Sequence, residues 1–170
     1  MKPTVRAVLA VLSLCLPVAA QETSTITRDE LQTTGEIDTA RALSLARPDI
    51  FQGVDGTVLI HGLPVLTLVD GRRVATSPQL GRVNPFDLPV AFLTGVDVLT
   101  AGDSLRYGSA GSGGVVDLRM SRIQSGGEVG VFYGRSSGKY GREDFSTYVI
   151  GGVGNDKFNI TAGASYQEST

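Results

Sequence analysis

A glycine-rich run between two apolar strands constrains the fold more than any other part of the sequence. Residues 96–99 predict one short strand, and residues 115–118 predict a second. Five glycines lie between positions 102 and 114, and glycine at this density indicates positive φ angles or a close approach of two backbones. The stretch 96–120 therefore predicts a compact strand–loop–strand unit, around which the preceding residues build a small domain.

A glycine-rich loop is also typical of phosphate binding. That site needs a helix after the glycines and usually a lysine directed at the anion. Here the residues that follow Gly114 are β-branched, and no Gly-Lys-Ser or Gly-Lys-Thr occurs. We therefore interpret the loop as a close-packed turn rather than a nucleotide site.

Residues 1–20 have the composition of a secretory signal peptide. Lys2 and Arg6 give a positive start, and the apolar residues 7–16 are too few to span a bilayer. The single cysteine, Cys15, lies in this segment, so the exported chain would hold no disulfide and no cysteine metal site. The formal net charge of −2 gives no basic excess for nucleic-acid binding.

Two capping boxes and two apolar runs predict the elements that precede the glycine-rich loop. The box at 27–30 predicts a helix over 28–32, and the box at 33–36 predicts a helix from about 35 to 46. We expect strands at 57–60 and 66–69, each followed by a turn. His61, in the first of these turns, has no cysteine, glutamate or second histidine near it, so we expect it to make a local hydrogen bond rather than to bind metal.

The pattern changes after residue 120. Residues 126–134, 145–153 and 157–167 each predict a strand, and in the third the apolar and polar residues alternate. Strands of about 9–11 residues with this period are typical of transmembrane β-barrels, although a water-soluble antiparallel sheet shows the same alternation. A short turn at 154–156 would join the last two strands. Three tyrosines are candidates for an interfacial aromatic girdle: Tyr133, Tyr148 and Tyr166.

Several motifs, taken in order, resemble the plug domain of TonB-dependent outer-membrane receptors. They are Ile60 with Gly62, Leu68-Val69-Asp70-Gly71-Arg72, Val98-Leu99, Tyr107-Gly108 and Gly113-Gly114-Val115. Thr100-Ala101-Gly102 departs from the Arg-Gly-Pro that is usual in the family. The resemblance implies an α+β plug domain, with a small mixed sheet and short helices, followed by antiparallel β-strands of an incomplete transmembrane β-barrel. It divides the chain into a signal peptide (1–20), a plug (21–120) and the first barrel strands (121–170).

The resemblance implies a receptor and not an enzyme, with no catalytic residue, cofactor or metal site. The plug would face the periplasm and gate active uptake of a scarce small-molecule nutrient across the cell outer membrane, with the TonB energy-coupling protein as partner. Pairing with TonB by strand addition would involve an extended segment near the start of the exported chain. The candidate TonB contacts are Glu22, Thr23, Ser24, Thr25, Ile26 and Thr27. The candidate ligand contacts in the plug loops are Gln79, Arg82, Asn84 and Tyr107.

Other interpretations stay open at this point. A free-standing periplasmic plug-like binding module without transport activity would fold residues 121–170 as a water-soluble sheet. A small secreted hydrolase would need a Gly-x-Ser-x-Gly motif, paired carboxylates or a metal cluster, and the sequence offers none of these. Because a single-chain bacterial barrel needs at least about eight strands, we expect the chain to be the N-terminal part of a receptor. Siderophore, cobalamin and carbohydrate are all possible ligands.

Overall fold

The computed structural model describes residues 24–54, 56–74, 84–99, 107, 111–138 and 141–170. Within these ranges the strands form two sheets, and two α-helices pack on the first sheet. The first sheet contains β1 (Ser24–Thr27), β2 (Phe51–Val54), β3 (Thr57–Ile60), β4 (Leu63–Val69), β5 (Arg72–Arg73), β6 (Leu93–Leu99) and β7 (Gly114–Met120). The second sheet contains β8 (Ser125–Ser136), β9 (Arg142–Gly154) and β10 (Asn159–Ser169).

The first sheet is mixed. Its strand order is β1-β6-β7-β4-β3-β2, with β5 paired to β4. Only β4 and β7 run parallel to each other, and the other pairs among the described strands are antiparallel. The second sheet is an antiparallel meander in the order β8-β9-β10. A small mixed sheet with short helices, followed by antiparallel strands, is the fold class that the sequence predicts.

The centre of the first sheet is the predicted strand–loop–strand unit. β7 pairs with β6 on one edge and with β4 on the other, and Val115, Val116 and Leu118 are fully buried. A Cβ at Gly113 would lie 2.6 Å from the carbonyl oxygen of Leu63, so only glycine allows the two backbones to approach here. A strand follows the glycines, and the described part of the loop is therefore a close-packed entry into β7.

The first capping box folds as predicted, and the second does not. Thr27 caps α1 (Arg28–Gln32) by accepting from the backbone N–H of Glu30 at 3.3 Å. α2 spans Thr39–Ala46 instead of 35–46, because Asp38 is its N-cap and accepts from the backbone N–H of Ala40 at 2.8 Å. Thr33 instead donates its hydroxyl back to the carbonyl of Glu30, at the end of α1.

Each of two hairpin turns contains a non-glycine residue in the left-handed backbone conformation. His61 and Asp70 have φ angles of 49° and 48°, and each precedes a glycine with positive φ. His61 is exposed, and its backbone N–H donates to the carbonyl of Ile50. Two short strands were not predicted: β2 (Phe51–Val54) and β5 (Arg72–Arg73).

Both helices bury an apolar side against the first sheet. Leu31 of α1 and Leu43 of α2 are completely buried, together with Ile26, Phe51 and Leu93. Two 3₁₀ turns, Pro85–Asp87 and Val90–Phe92, lead into β6 and add Phe86 and Val90 to the same core. None of the helices in the described ranges is long and apolar enough to cross a membrane.

The second sheet confirms the three strands predicted after residue 120. β8, β9 and β10 have 12, 13 and 11 residues, and their registers run without interruption. Side chains alternate between the two faces of a strand, so the register fixes which side chains share a face.

Removal of the Asp38 cap tests which capping signal starts α2. We expect Asp38→Ala to lower the free energy of unfolding by about 1 kcal/mol, because two backbone N–H groups lose their acceptor. Glu36→Ala, which removes the glutamate of the second box, is the matched control and should change it by much less. Chemical denaturation of both variants measures the difference, and equal losses would contradict Asp38 as the cap.

Candidate functional site

The two faces of the second sheet have different surroundings. One face, called the inner face here, contacts residues 24–120. Its members are Glu128, Gly130, Phe132, Ser146, Tyr148, Ile150, Thr161, Gly163 and Ser165. The opposite side, the outer face, carries large exposed apolar side chains. These are Val129, Val131, Tyr133, Phe145, Val149, Val153, Ile160 and Tyr166, and each is at least 40% exposed.

A polar cluster joins α1 to the inner face. The Arg28 guanidinium, at the first residue of α1, donates to both carboxylate oxygens of Glu128 on β8. The same guanidinium donates to the Tyr148 hydroxyl at 3.3 Å, and that hydroxyl donates to Glu128. A two-point contact between a guanidinium and a carboxylate fixes orientation as well as distance, so this cluster aligns α1 on the sheet.

Arg28 is stabilised in its charged form, but one of its hydrogen-bond donors has no acceptor. Its hydrogen bond to Glu128 raises the pKa of Arg28 above the ordinary value, against the opposite effect of partial burial. Its Nε atom is the one buried side-chain nitrogen or oxygen in the described ranges that lacks a hydrogen-bond partner. A buried donor without an acceptor costs about 1–3 kcal/mol, which offsets part of the gain from the ion pair.

An aromatic contact lies beside the polar cluster. Phe92, in the turn before β6, meets Tyr148 edge to face, with ring centroids 6.5 Å apart and planes at 84°. The Phe92 ring also covers Gly163 of β10, where a Cβ would lie 3.0 Å from it. Next to this contact, a cleft of about 100 Å³ separates the 35–37 turn from Phe132 and Tyr148. In the described residues, the contacts between the two parts of the chain therefore include the Phe92–Tyr148 ring contact and the Arg28–Glu128 ion pair.

A second polar cluster holds β1 to the first sheet. Asp97 and Asp117 face each other directly across β6 and β7, and Arg119 forms ion pairs with both, at 2.6 and 3.5 Å. The hydrogen bond to Asp97 raises the pKa of Arg119. On the other side, the Thr25 hydroxyl of β1 donates to Asp97 at 2.8 Å. Arg119 thus stabilises two opposed carboxylates, and one of them in turn binds the edge strand.

Comparison with known protein families identifies the family of this chain. Residues 18–115 match the family model described as TonB-dependent Receptor Plug Domain, which is more than half of the chain. The chain belongs to this family. Its first sheet and helices, which contain most of the matched residues, are therefore called the plug below, and its second sheet is called the wall.

Solved structures of siderophore receptors share the fold. The chain is similar to a variant of the ferric enterobactin receptor PfeA from Pseudomonas aeruginosa in complex with enterobactin, with 17% identity over 89% of this chain and a TM-score of 0.63. The siderophore receptors PirA from Acinetobacter baumannii and from Pseudomonas aeruginosa match with 18% and 20% identity, over 85% and 88% of this chain, and TM-scores of 0.63 and 0.64. The chain spans 24–28% of the length of these proteins. At this identity they confirm the fold of a plug with barrel strands.

The predicted TonB segment lies partly outside the described residues. Glu22 and Thr23 are in the undescribed part, whereas Ser24, Thr25, Ile26 and Thr27 form β1 and pair with β6. Ile26 is buried, so these four residues are not a free peptide. β1 is the last strand in the sheet order, and its second edge pairs with no strand in the described ranges. TonB binding by strand addition to this segment stays a prediction.

The predicted ligand contacts are only partly described. Gln79 and Arg82 lie outside the described residues. Asn84 accepts from the backbone N–H of Phe86 at 3.2 Å and donates to the carbonyl of Gly56, so it holds two plug loops together. Tyr107 is half-buried. A role for these residues in ligand binding stays a prediction.

The residues that form the contact between plug and wall were not identified from the sequence. The sequence patterns assign Arg28 only to the helix over 28–32, and they give no role to Glu128 or Phe92. The sequence makes Tyr148 a candidate for an aromatic girdle, but its ring lies on the inner face, because its register partner is Gly130 of β8. The available signal was strand parity: Glu128 is the one acid in the run 126–134 and alternates with exposed valines.

A double-mutant cycle tests the ion pair between plug and wall. We expect Arg28→Gln and Glu128→Gln to show a coupling energy of about 1 kcal/mol, because the pair is two-point but partly open to solvent. Thermal unfolding of the four proteins measures the coupling. The exposed pair of Arg41 and Glu36, at 3.8 Å, is the matched control and should show almost none. Additive effects of the Arg28 and Glu128 substitutions would refute the contact.

Proposed function

We propose that this chain provides the plug and the first wall strands of an outer-membrane receptor that takes up a scarce small-molecule nutrient with energy from TonB. In this proposal the plug blocks the passage until TonB acts on its periplasmic side. The protein does no covalent chemistry. Membership of the plug family supports the receptor class.

The observation that carries the proposal is the difference between the two faces of the wall. The inner face binds the plug through Arg28 and Phe92, and the outer face exposes Val129, Val131 and Ile160 by 72%, 69% and 64%. A contiguous apolar face of this kind is typical of a surface that another apolar phase covers. Strands of 11–13 residues with one apolar face fit the hydrocarbon thickness of a bilayer. We infer that lipid covers the outer face.

Siderophores are the first ligand class to test. The similar solved structures are described as siderophore receptors, and one of them holds enterobactin. Identity of 17–20% supports the shared fold, and the ligand class for this chain rests on that likeness alone.

A lysine on the outer face tests the membrane assignment. We expect Ala164→Lys, on the outer face of β10, to reduce assembly into the outer membrane strongly, because a lysine at mid-bilayer costs about 2–4 kcal/mol in a barrel strand. Gln167→Lys, on the inner face of the same strand, is the matched control and should assemble normally. Immunoblots of outer-membrane and periplasmic fractions, with and without heating, measure assembly.

The same blots separate the alternative function. If the chain is a free-standing periplasmic binding module, the unmodified protein is found in the soluble periplasm and both lysine variants behave alike. That outcome would overturn the transport proposal.

A reversible crosslink between plug and wall tests gating. In Arg28→Cys/Glu128→Cys, a short bis-maleimide with a cleavable centre should stop uptake of a labelled ferric siderophore, and cleavage of the linker should restore it. The physical reason is that a plug tied to the wall cannot move aside. Uptake is measured in whole cells with and without functional TonB.

The control crosslink joins two wall strands only. Val129→Cys/Val149→Cys links register partners of β8 and β9 on the outer face and should leave uptake unchanged. Full uptake with the Arg28–Glu128 positions linked would contradict movement of the plug away from this part of the wall.

A further inference from the structure

Tyr148 takes part in both the polar contact and the aromatic contact between plug and wall. Its hydroxyl accepts a hydrogen bond from Arg28 and donates one to Glu128. Its ring packs edge to face with Phe92. Arg28 and Phe92 belong to separate segments of the plug, so a single wall side chain contacts the plug at two separate points.

The position of the Tyr148 ring depends on the absence of a side chain on the neighbouring strand. Gly130 of β8 is the register partner of Tyr148 on β9. A Cβ at position 130 would lie 2.2 Å from Cε1 of the ring, 2.4 Å from Cζ and 2.7 Å from the hydroxyl oxygen. The ring therefore occupies the space of the missing side chain. Any other residue at 130 displaces the ring.

The clash at position 130 involves the outer end of a side chain and not backbone. All three nearest atoms belong to the Tyr148 phenol, which can rotate away about its own bonds. A Cβ at 130 is therefore compatible with the pairing of β8 with β9, but it is not compatible with the present position of the Tyr148 ring. This separates a role in positioning from a role in holding the sheet together.

We propose that Gly130 is a positioning residue, which forms the recess that seats Tyr148 so that the seated ring holds Arg28 and Phe92 of the plug in place on the wall. Gly130 acts on the plug only through Tyr148. Any effect of Gly130 on uptake rests on the proposed gating function. The seating of the plug on the wall does not depend on that function.

The test measures how well Arg28 is protected in the full chain, prepared in membranes. Phenylglyoxal modifies exposed arginines, and mass spectrometry reads the rate at Arg28, with the exposed Arg41 as the internal reference. We expect Gly130→Ala to raise the rate at Arg28 about tenfold, because a charged hydrogen-bond network is lost. Gly151→Ala is the matched control, since a Cβ there meets its nearest atom at an ordinary 3.4 Å, and it should leave the rate unchanged.

Removal of the ring separates positioning from a general effect on stability. In a Tyr148→Ala background the recess has nothing to seat, so Gly130→Ala should add no further increase. An equal increase with and without the ring would overturn the proposal, as would normal protection of Arg28 in Gly130→Ala.

Tyr148→Phe provides a second variant that leaves the packing intact. It keeps the ring in its recess and removes both hydrogen bonds of the hydroxyl, so we expect a smaller rise at Arg28, of a few fold. Unchanged protection in Tyr148→Phe would refute the role of the hydroxyl even if Gly130→Ala failed to assemble. If Gly130→Ala exposes Arg28 while uptake stays normal and TonB-dependent, the seating stands and its consequence for uptake fails.

Discussion

Side chains alternate between the faces of a strand, so each strand of the wall can bind the plug with only half of its residues. In the register of β8, β9 and β10, Glu128 and most of the hydroxyl side chains face the plug, and most of the large apolar side chains lie on the opposite face. Glycines on the inner face leave room for the Tyr148 and Phe92 rings. The shape of the contact with the plug therefore follows from which inner positions lack a side chain.

The Arg28–Glu128 ion pair and the Phe92–Tyr148 ring contact are stabilised by different interactions. The ion pair of Arg28 with Glu128 is partly exposed, with 21% and 42% of the side chains accessible, and the unpaired Nε offsets some of its gain. Such a pair contributes more to orientation than to stability. Phe92 contributes by burial and ring contact, which water does not replace. The polar point can therefore open and be rehydrated at small cost, and the aromatic point opposes that movement.

Local signals in the sequence predicted local structure well. The Thr27 cap lies within four residues of its partner, and the wall strands repeat a two-residue pattern for 11–13 residues. The start of α2 was predicted wrongly because two capping signals lie within a few residues of each other, and the second of them, Asp38, is the one that accepts the backbone N–H groups of the helix. β2 was missed because Phe51–Val54 carries little alternation and pairs only because β3 follows. The contact site was out of reach, since Arg28 and Glu128 are 100 residues apart in the chain.

The position of Arg28 in the chain connects the two polar clusters mechanically. β1 ends at Thr27, and the next residue is the one that binds the wall. β1 is also attached to the sheet by the hydrogen bond from the Thr25 hydroxyl to Asp97. Arg119 stabilises this Asp97 carboxylate. A force on the segment before β1 would therefore act first on the pairing of β1 with β6 and then, along the chain, directly on Arg28. The attachment nearest to that segment is the one that water can replace, so the order of the residues along the chain favours release from the polar point first.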